Sequence, residues 1–222
     1  MIGHDAYAPK EIAARVSDVG VVKARLPLLT LALLGLLAGA ELFTGNNLIA
    51  MAWAAGRVST RELLRNWAVA CAANAVGAAG LALLVWLSGR GALNQDAVGQ
   101  AAIRIATAKA QLPIAEAFFS GVLCNVLVCM AVWMAMAGRS VADKVLAIVF
   151  PITAFVAAGF EHSIANLFYF PLALLLGAPL GAGELLHNLL PVIAGNIVGG
   201  SVLVAGVYWV IYLRPAAATA KE

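Results

Sequence analysis

Charged side chains are scarce in this sequence, and this scarcity excludes a water-soluble fold. Only 11% of the 222 residues are charged, whereas 63% are hydrophobic and the mean hydropathy is +0.94. Soluble domains carry about 25% charged residues, and a domain this small leaves a large share of its surface exposed to its solvent. The solvent around this chain must therefore be a lipid bilayer.

The sequence is also poor in residues that build disulfides, metal sites and catalytic motifs. Its three cysteines, Cys71, Cys124 and Cys129, lie in apolar runs without a Cys-x-x-Cys pair, so we interpret them as small packing residues. No HExxH or GxSxG motif is present, which argues against an intramembrane enzyme. We predict no cofactor and no metal. The basic residues form no block, and the net charge is only +3, so nucleic-acid binding has no support.

Long apolar runs are abundant and predict an all-α, polytopic membrane helix bundle. A membrane-spanning β-barrel would show alternating apolar and polar residues, whereas these runs are continuous. A transmembrane helix needs about 20 mainly apolar residues. A polar, amphipathic segment at residues 1–25 precedes five such stretches, which cover about 26–55, 66–88, 113–137, 145–176 and 185–213. We predict one transmembrane domain over 1–222, with spans in 26–213 and a disordered tail at 214–222.

The basic residues predict which ends of the spans face the cytoplasm, because cytoplasmic loops are enriched in Lys and Arg. If stretches two to five each cross once, loops 54–65 and 138–144 share a side with the C-terminus. That side holds most of the basic residues of the loops, which predicts a cytoplasmic C-terminus. A single crossing by the first stretch would put the basic N-terminus on the opposite side, in conflict with the same rule.

Two of the stretches are too long for one straight span, and polar residues interrupt each near its middle. The interruptions are Glu41-Leu42-Phe43-Thr44-Gly45-Asn46-Asn47 and Gly159-Phe160-Glu161-His162-Ser163. Irregular backbone at membrane depth is tolerated only where protein buries it or where it lines a wet cavity. Paired broken helices are the best sequence pointer to a transport site, and the N-termini of the half-helices suit an anion.

Ionisable residues inside a membrane usually mark function, and three lie at these breaks. For His162 we favour a role in a pore over a buried imidazole that ties two helices together. For Glu41 and Glu161 we instead expect carboxylates that accept hydrogen bonds from the unpaired N–H groups of a broken helix. Three further polar residues fit pore hydrogen bonding and helix packing equally well, namely Thr44, Asn46 and Asn166. Lys109 precedes Pro113 at the mouth of a span and on its own reads as a solvated loop charge.

Four segments together resemble the formate/nitrite transporter family. They are Ala38-Gly39-Ala40-Glu41-Leu42-Phe43-Thr44-Gly45-Asn46, then Leu123-Cys124-Asn125 through Val128-Cys129, then Gly159-Phe160-Glu161-His162-Ser163-Ile164-Ala165-Asn166, and Gly195-Asn196-Ile197-Val198-Gly199-Gly200. Their order and spacing fit, and the resemblance covers about 37–213. Four motifs in register are highly specific, although any single one is weak.

The resemblance implies an aquaporin-like subunit that assembles as a homopentamer, with one pore per subunit for formate, nitrite or similar small acids. Thr44 and His162 would face each other in this pore. Leu42 and Phe155 would narrow it, next to Phe43. Lys109 would belong to the outer vestibule, and Asn166 would be a polar neighbour of the histidine. The resemblance implies that the protein resides in the lipid bilayer of the inner cell membrane.

The chain departs from the family in length, because members usually have six spans. Here the first span runs directly into the second half of the second, which indicates the loss of about one N-terminal span. Two alternative functions stay open, the first allowed by the paired broken helices and the second by the missing span. One is an aquaporin-like channel for a neutral solute, although no Asn-Pro-Ala motif is present. The other is an inactive, truncated subunit.

Overall fold

The computed structural model describes residues 6–38 and 46–214, and within those ranges the chain forms helices and turns with no strand. The predicted all-α fold class is confirmed. The α-helices are α1 (Pro9–Ala24), α2 (Leu28–Ala38), α3 (Ile49–Ala54), α4 (Thr60–Leu87), α5 (Ala97–Ala110), α6 (Ile114–Ala137), α7 (Val141–Ala157), α8 (Ser163–Leu175), α9 (Ala182–Ile197) and α10 (Val207–Tyr212). A π-helical segment, Val198–Gly206, joins α9 to α10, and 3₁₀ turns lie at Asn46–Leu48 and Arg90–Ala92. The tail predicted at 214–222 lies outside the described residues except for Arg214.

Among the described residues, three helical stretches are long and apolar enough to cross a membrane. They are Thr60–Leu87, Ile114–Ala137 and Ala182–Tyr212, which match the second, third and fifth predicted stretches. The fourth stretch is divided between α7 and α8, as its polar interruption predicts. Helices α1 and α2 together are also long and apolar enough to cross a membrane, but a bend of 111° separates them.

Helix α6 is the centre of the bundle and packs against α7, α9 and the π-helical segment. Small residues allow this close approach. A Cβ added at Gly195 would clash with the main-chain oxygen of Phe118, and one at Gly199 with that of Val122. The GxxxG pair therefore serves packing within the chain.

The described parts of the first apolar stretch begin and end beside the same end of α4, so the single crossing considered from the sequence does not describe them. At its start, the main-chain oxygen of Leu26 accepts a hydrogen bond from Arg65 at the beginning of α4. Further along, Leu36 packs beside Gly77 in the middle of α4. By Asn46 the chain is back at the beginning of α4, where the Asn46 amide donates to Asn66.

The same return explains why the basic N-terminus does not conflict with the other loops. The Tyr7 N–H donates to the oxygen of Ala137 at the end of α6, and Asp18 on α1 pairs with Arg57 at 2.7 Å. Helix α1 also packs against α10 near the C-terminus. Helix α1, loops 55–59 and 138–140, and the C-terminal end of α10 therefore lie on one side of the bundle.

Candidate functional site

The break between α7 and α8 is specified by the local sequence. The N–H of Gly159 donates to the oxygen of Val156, and the N–H of Phe160 donates to the oxygen of Phe155, which is the Schellman pattern at a helix end. This pattern needs a left-handed residue, and Gly159 has a φ of +68°. Helix α8 begins four residues later, at Ser163, so the predicted break at residues 159–163 is confirmed.

His162 is the N-cap residue of α8. Its Nδ1 accepts the N–H of Ala165 at 3.2 Å, and its ring stacks on that of Phe155 with centroids 5.5 Å apart and an interplanar angle of 18°. Because Nδ1 acts as an acceptor, the neutral imidazole carries its proton on Nε2. The side chain is buried, with 7% of the residue exposed.

The Glu161 carboxylate holds a network of side chains, and the expectation that it caps backbone N–H groups is wrong. Its Oε1 accepts from Lys109 Nζ at 2.6 Å. Its Oε2 accepts from Asn166 at 2.7 Å and from Asn188 at 3.2 Å. The physical reason is position, since Glu161 precedes the N-cap and the imidazole of His162 already occupies the capping place.

Lys109 is not a solvated loop charge. It lies at the end of α5, its side chain is only 17% exposed, and it forms an ion pair with Glu161. Asn188 also donates to the main-chain oxygen of Lys109 at 2.8 Å. Since both partners of the pair are largely buried, their charges compensate each other inside the bundle.

Lys109, Phe155 and His162 line one cavity of about 580 Å³. The rest of its wall is mainly apolar and comes from α5, α6, α7 and α8, including Ile105, Val128, Val132, Ile148, Ile152 and Tyr169. Three of the predicted site residues, from three different parts of the sequence, thus lie around one cavity. A small solute in this cavity would meet apolar surface together with a lysine, a histidine and a tyrosine.

The other predicted site residues do not line this cavity or lie outside the described residues. Asn166 is fully buried and bonds to Glu161 and Asn188. Asn46 is fully buried as well and accepts from Lys23 Nζ at 3.0 Å. The roles predicted at the first break stay predictions, because five of its residues are not described, namely Glu41, Leu42, Phe43, Thr44 and Gly45.

Sequence reasoning missed Asn188, assigned no role to Asn125 or Asn196, and overlooked Tyr169 on the cavity wall. The three asparagines are fully buried. The sequence did contain one indication of these asparagines, which is an amide side chain within an apolar helix. An unsatisfied polar group there is costly, so each such amide is expected to have a hydrogen-bond partner. Within the described residues, no group of three or more His, Cys, Asp or Glu is placed to hold a metal ion.

The chain is similar to known proteins along most of its length. The formate/nitrite transporter family profile matches residues 36–210. The formate channel FocA of Escherichia coli K12 is 40% identical over 195 residues, which cover 79% of this chain and 68% of that protein. A probable formate transporter of Methanothermobacter thermautotrophicus is 39% identical over 197 residues, covering 82% and 72%.

A solved structure described as a pentameric formate channel with formate bound superposes with a TM-score of 0.70 at 32% identity. The match covers 93% of this chain and 95% of that chain. The family profile and these relatives agree with the apolar helices and with the broken helix at the cavity. We conclude that this chain is a multi-pass membrane protein that belongs to the formate/nitrite transporter family.

Proposed function

We propose that the chain forms a channel for small monovalent anions and their conjugate acids, such as formate, along a route that passes His162. The observation that carries this proposal is the apolar cavity into which Lys109 and His162 extend. Membership of the family and the names of the relatives support formate as the solute class.

The cavity lowers the cost of an anion without creating a strong anion trap. A charge at the centre of a bilayer costs several kcal/mol or more. Lys109 offers a compensating charge, but Glu161 neutralises it at 2.6 Å. The N-terminal end of α8 adds a partial positive charge beside His162. Weak attraction of this kind allows a solute to enter and also to leave.

His162 gives the route its predicted pH dependence. An unperturbed histidine titrates near pH 6.5, and its imidazolium form, which takes its second proton from solution, can give a proton to a carboxylate and return to the neutral ring. Formate that accepts this proton becomes neutral formic acid, which crosses apolar surface at much lower cost than the anion. Formate flux should therefore change with pH, and the charged groups that act electrostatically on the imidazole are Lys109 and Glu161.

The test is uptake of labelled formate and of glycerol into proteoliposomes made from this chain, across a pH range. We expect formate uptake to exceed glycerol uptake and to depend on pH. His162→Phe should abolish that pH dependence. His187→Phe is the matched control, because His187 is exposed and its Nε2 contacts Leu112 O instead of the cavity.

Each alternative outcome contradicts a named part of the proposal. An unchanged pH profile in His162→Phe would remove the proton-exchange role. Glycerol uptake without formate uptake would favour the neutral-solute channel. A folded, assembled chain that passes neither solute would favour the inactive subunit.

We further propose a homopentamer in the inner cell membrane, with the C-terminus in the cytoplasm. The related pentameric structure supports the assembly. Large exposed apolar side chains on α2, α4 and α7, such as Leu29, Leu84 and Phe150, supply surface for lipid or neighbouring subunits.

A further inference from the structure

Asn196, near the end of α9, holds the main chain on both sides of His162. It is fully buried. Its Nδ2 donates to the oxygen of Glu161 at 3.2 Å and to that of Gly121 on α6 at 2.8 Å. Its Oδ1 accepts the N–H of Ser163 at 3.0 Å. Both donor hydrogens of this amide and its acceptor oxygen are therefore engaged.

The main-chain oxygen of Asn196 connects the same point to the first broken stretch. It accepts hydrogen bonds from the side-chain amides of Asn47, at 3.2 Å, and of Asn125 on α6. Asn47 is the last residue of the first polar interruption and lies in the 3₁₀ turn Asn46–Leu48. One residue therefore joins both breaks to the central helix.

The position of the His162 ring depends on the segment that Asn196 holds. The imidazole caps α8 through the Ala165 N–H and stacks on Phe155, and both contacts require the main chain at 161–163 to stay in place. In enzymes, a displacement of about 1 Å in such a supporting segment can cost about 100-fold in rate.

We propose that Asn196 is a positioning residue that places the His162 imidazole in the cavity by clamping the peptide groups of Glu161 and Ser163. The inference rests on the proposed role of His162 in transport. The rival interpretation is that Asn196 contributes only to packing between α6 and α9.

Asn74 on α4 is a suitable control for the packing interpretation. It is also fully buried in an apolar helix, and its Nδ2 donates to the oxygen of Gly35 at 3.1 Å. That bond joins α2 to α4 and none of its atoms contacts the site. Asn74→Leu and Asn196→Leu thus remove comparable buried amides in different places.

The first readout is the pH profile of formate flux in proteoliposomes. Asn196→Leu should lower flux by about tenfold or more and change the profile, whereas Asn74→Leu should keep the wild-type profile. Titratable groups around the clamp are Glu161 with its partner Lys109, His162, and the thiols of Cys124 and Cys129 on α6, and none of these is altered by either variant.

Asn196→Asp tests the same clamp with a nearly isosteric side chain. An ionised carboxylate would face the main-chain oxygens of Gly121 and Glu161, whereas the protonated acid keeps one O–H donor. Flux through this variant should therefore be retained at acidic pH and lost as the pH rises. This variant also provides the test if Asn196→Leu fails to fold.

The second readout does not depend on transport. His162 becomes the sole histidine in a His4→Gln, His187→Gln background, so ¹⁵N labelling of histidine reports its tautomer. We expect an Nε2-protonated ring in the wild-type context and in Asn74→Leu. Asn196→Leu, or Asn196→Asp at neutral pH, should give a mixture of tautomers.

The proposal is overturned if the Asn196 variants keep both the wild-type tautomer and the wild-type pH profile while only their folded yield falls. If the tautomer changes as expected but the unmodified chain passes no formate, the clamp stands and the proposed function fails. The two failures are thus distinguishable.

Discussion

Lys109 and Glu161 form a buried ion pair whose partners depend on each other. Their Nζ and Oε1 atoms are 2.6 Å apart, and the side chains are 17% and 3% exposed. A buried charge left without its partner is costly because desolvation is no longer offset. Asn166 and Asn188 provide two further donors to the carboxylate, so the pair is part of a network.

We expect Lys109→Met to lower the free energy of unfolding by about 3 kcal/mol, since breaking a buried pair costs roughly 3–5 kcal/mol and the two amide donors retain part of the stabilisation. The double variant Lys109→Met, Glu161→Gln should recover most of this loss, because no charge is left unpaired. Unfolding in SDS, monitored by circular dichroism, measures the free energy of unfolding of the single and the double variant. Formate uptake by Lys109→Met should also fall at low formate concentration.

Asp18→Asn is the control for this prediction. It breaks an ion pair with Arg57 whose side chains are 64% and 44% exposed, and exposed pairs contribute only about 0–1 kcal/mol. A Lys109→Met chain as stable as the wild type, or a double variant no more stable than the single one, would show that the pair is not coupled as described.

At the scale of elements, the contact between α6 and the helix formed by α9 and the π-helical segment determines where Asn196 and the His162 break lie. This contact depends on Gly195 and Gly199, whose missing side chains let the backbones approach. The obstructing atoms are main-chain oxygens, which cannot rotate away as a flexible side chain can.

Gly199→Ala should therefore destabilise the bundle by about 1–3 kcal/mol, the usual cost of overpacking. Gly80→Ala on α4 is the matched control, because a Cβ there meets no heavy atom within 4 Å and alanine is the better helix former by up to about 1 kcal/mol. Thermal melting of both variants in detergent should show opposite signs. Equal effects would mean that the close approach is unimportant for stability.

At the scale of the whole molecule, the charge distribution predicts orientation. The side that carries α1, loops 55–59 and 138–140, and the end of α10 holds most of the basic residues, including Arg57, Arg139 and Arg214. The opposite end holds Arg90 and Arg104. Lys and Arg in short loops favour the cytoplasm.

Green fluorescent protein fused after Glu222 should fluoresce in a bacterial host, and alkaline phosphatase at that position should be inactive. Alkaline phosphatase inserted in the turn at Arg90–Ala92 should be active, which makes it the matched control. The reverse pair of signals would place the C-terminus outside.

Assembly is the second prediction for the whole molecule. Native mass spectrometry of the detergent-purified chain should give a complex of five copies of the 22.9 kDa subunit, because the exposed apolar faces and the related pentameric structure both favour association. A monomeric mass across a series of mild detergents would contradict the proposed pentamer.

Several features followed from local sequence because their causes lie within a few residues. Continuous apolar stretches predicted the spanning helices, since each helix satisfies its own backbone groups in lipid. The break at Gly159 and His162 followed from polar residues in a stretch too long for one straight span, and in the structure Gly159 takes the left-handed position there. The resemblance of four motifs indicated the family.

Other features required the folded chain, because they join residues that are distant in sequence. Lys109 is 52 positions from Glu161, and nothing local distinguishes that pair from a solvated lysine and a capping carboxylate. Asn196 meets Asn47 across 149 positions, so its apolar context revealed only that it needed partners. The return of the first stretch to its starting side likewise depends on contacts of Leu26, Leu36 and Asn46 with α4. These contacts join residues far apart in the chain, so local helix propensity cannot predict them.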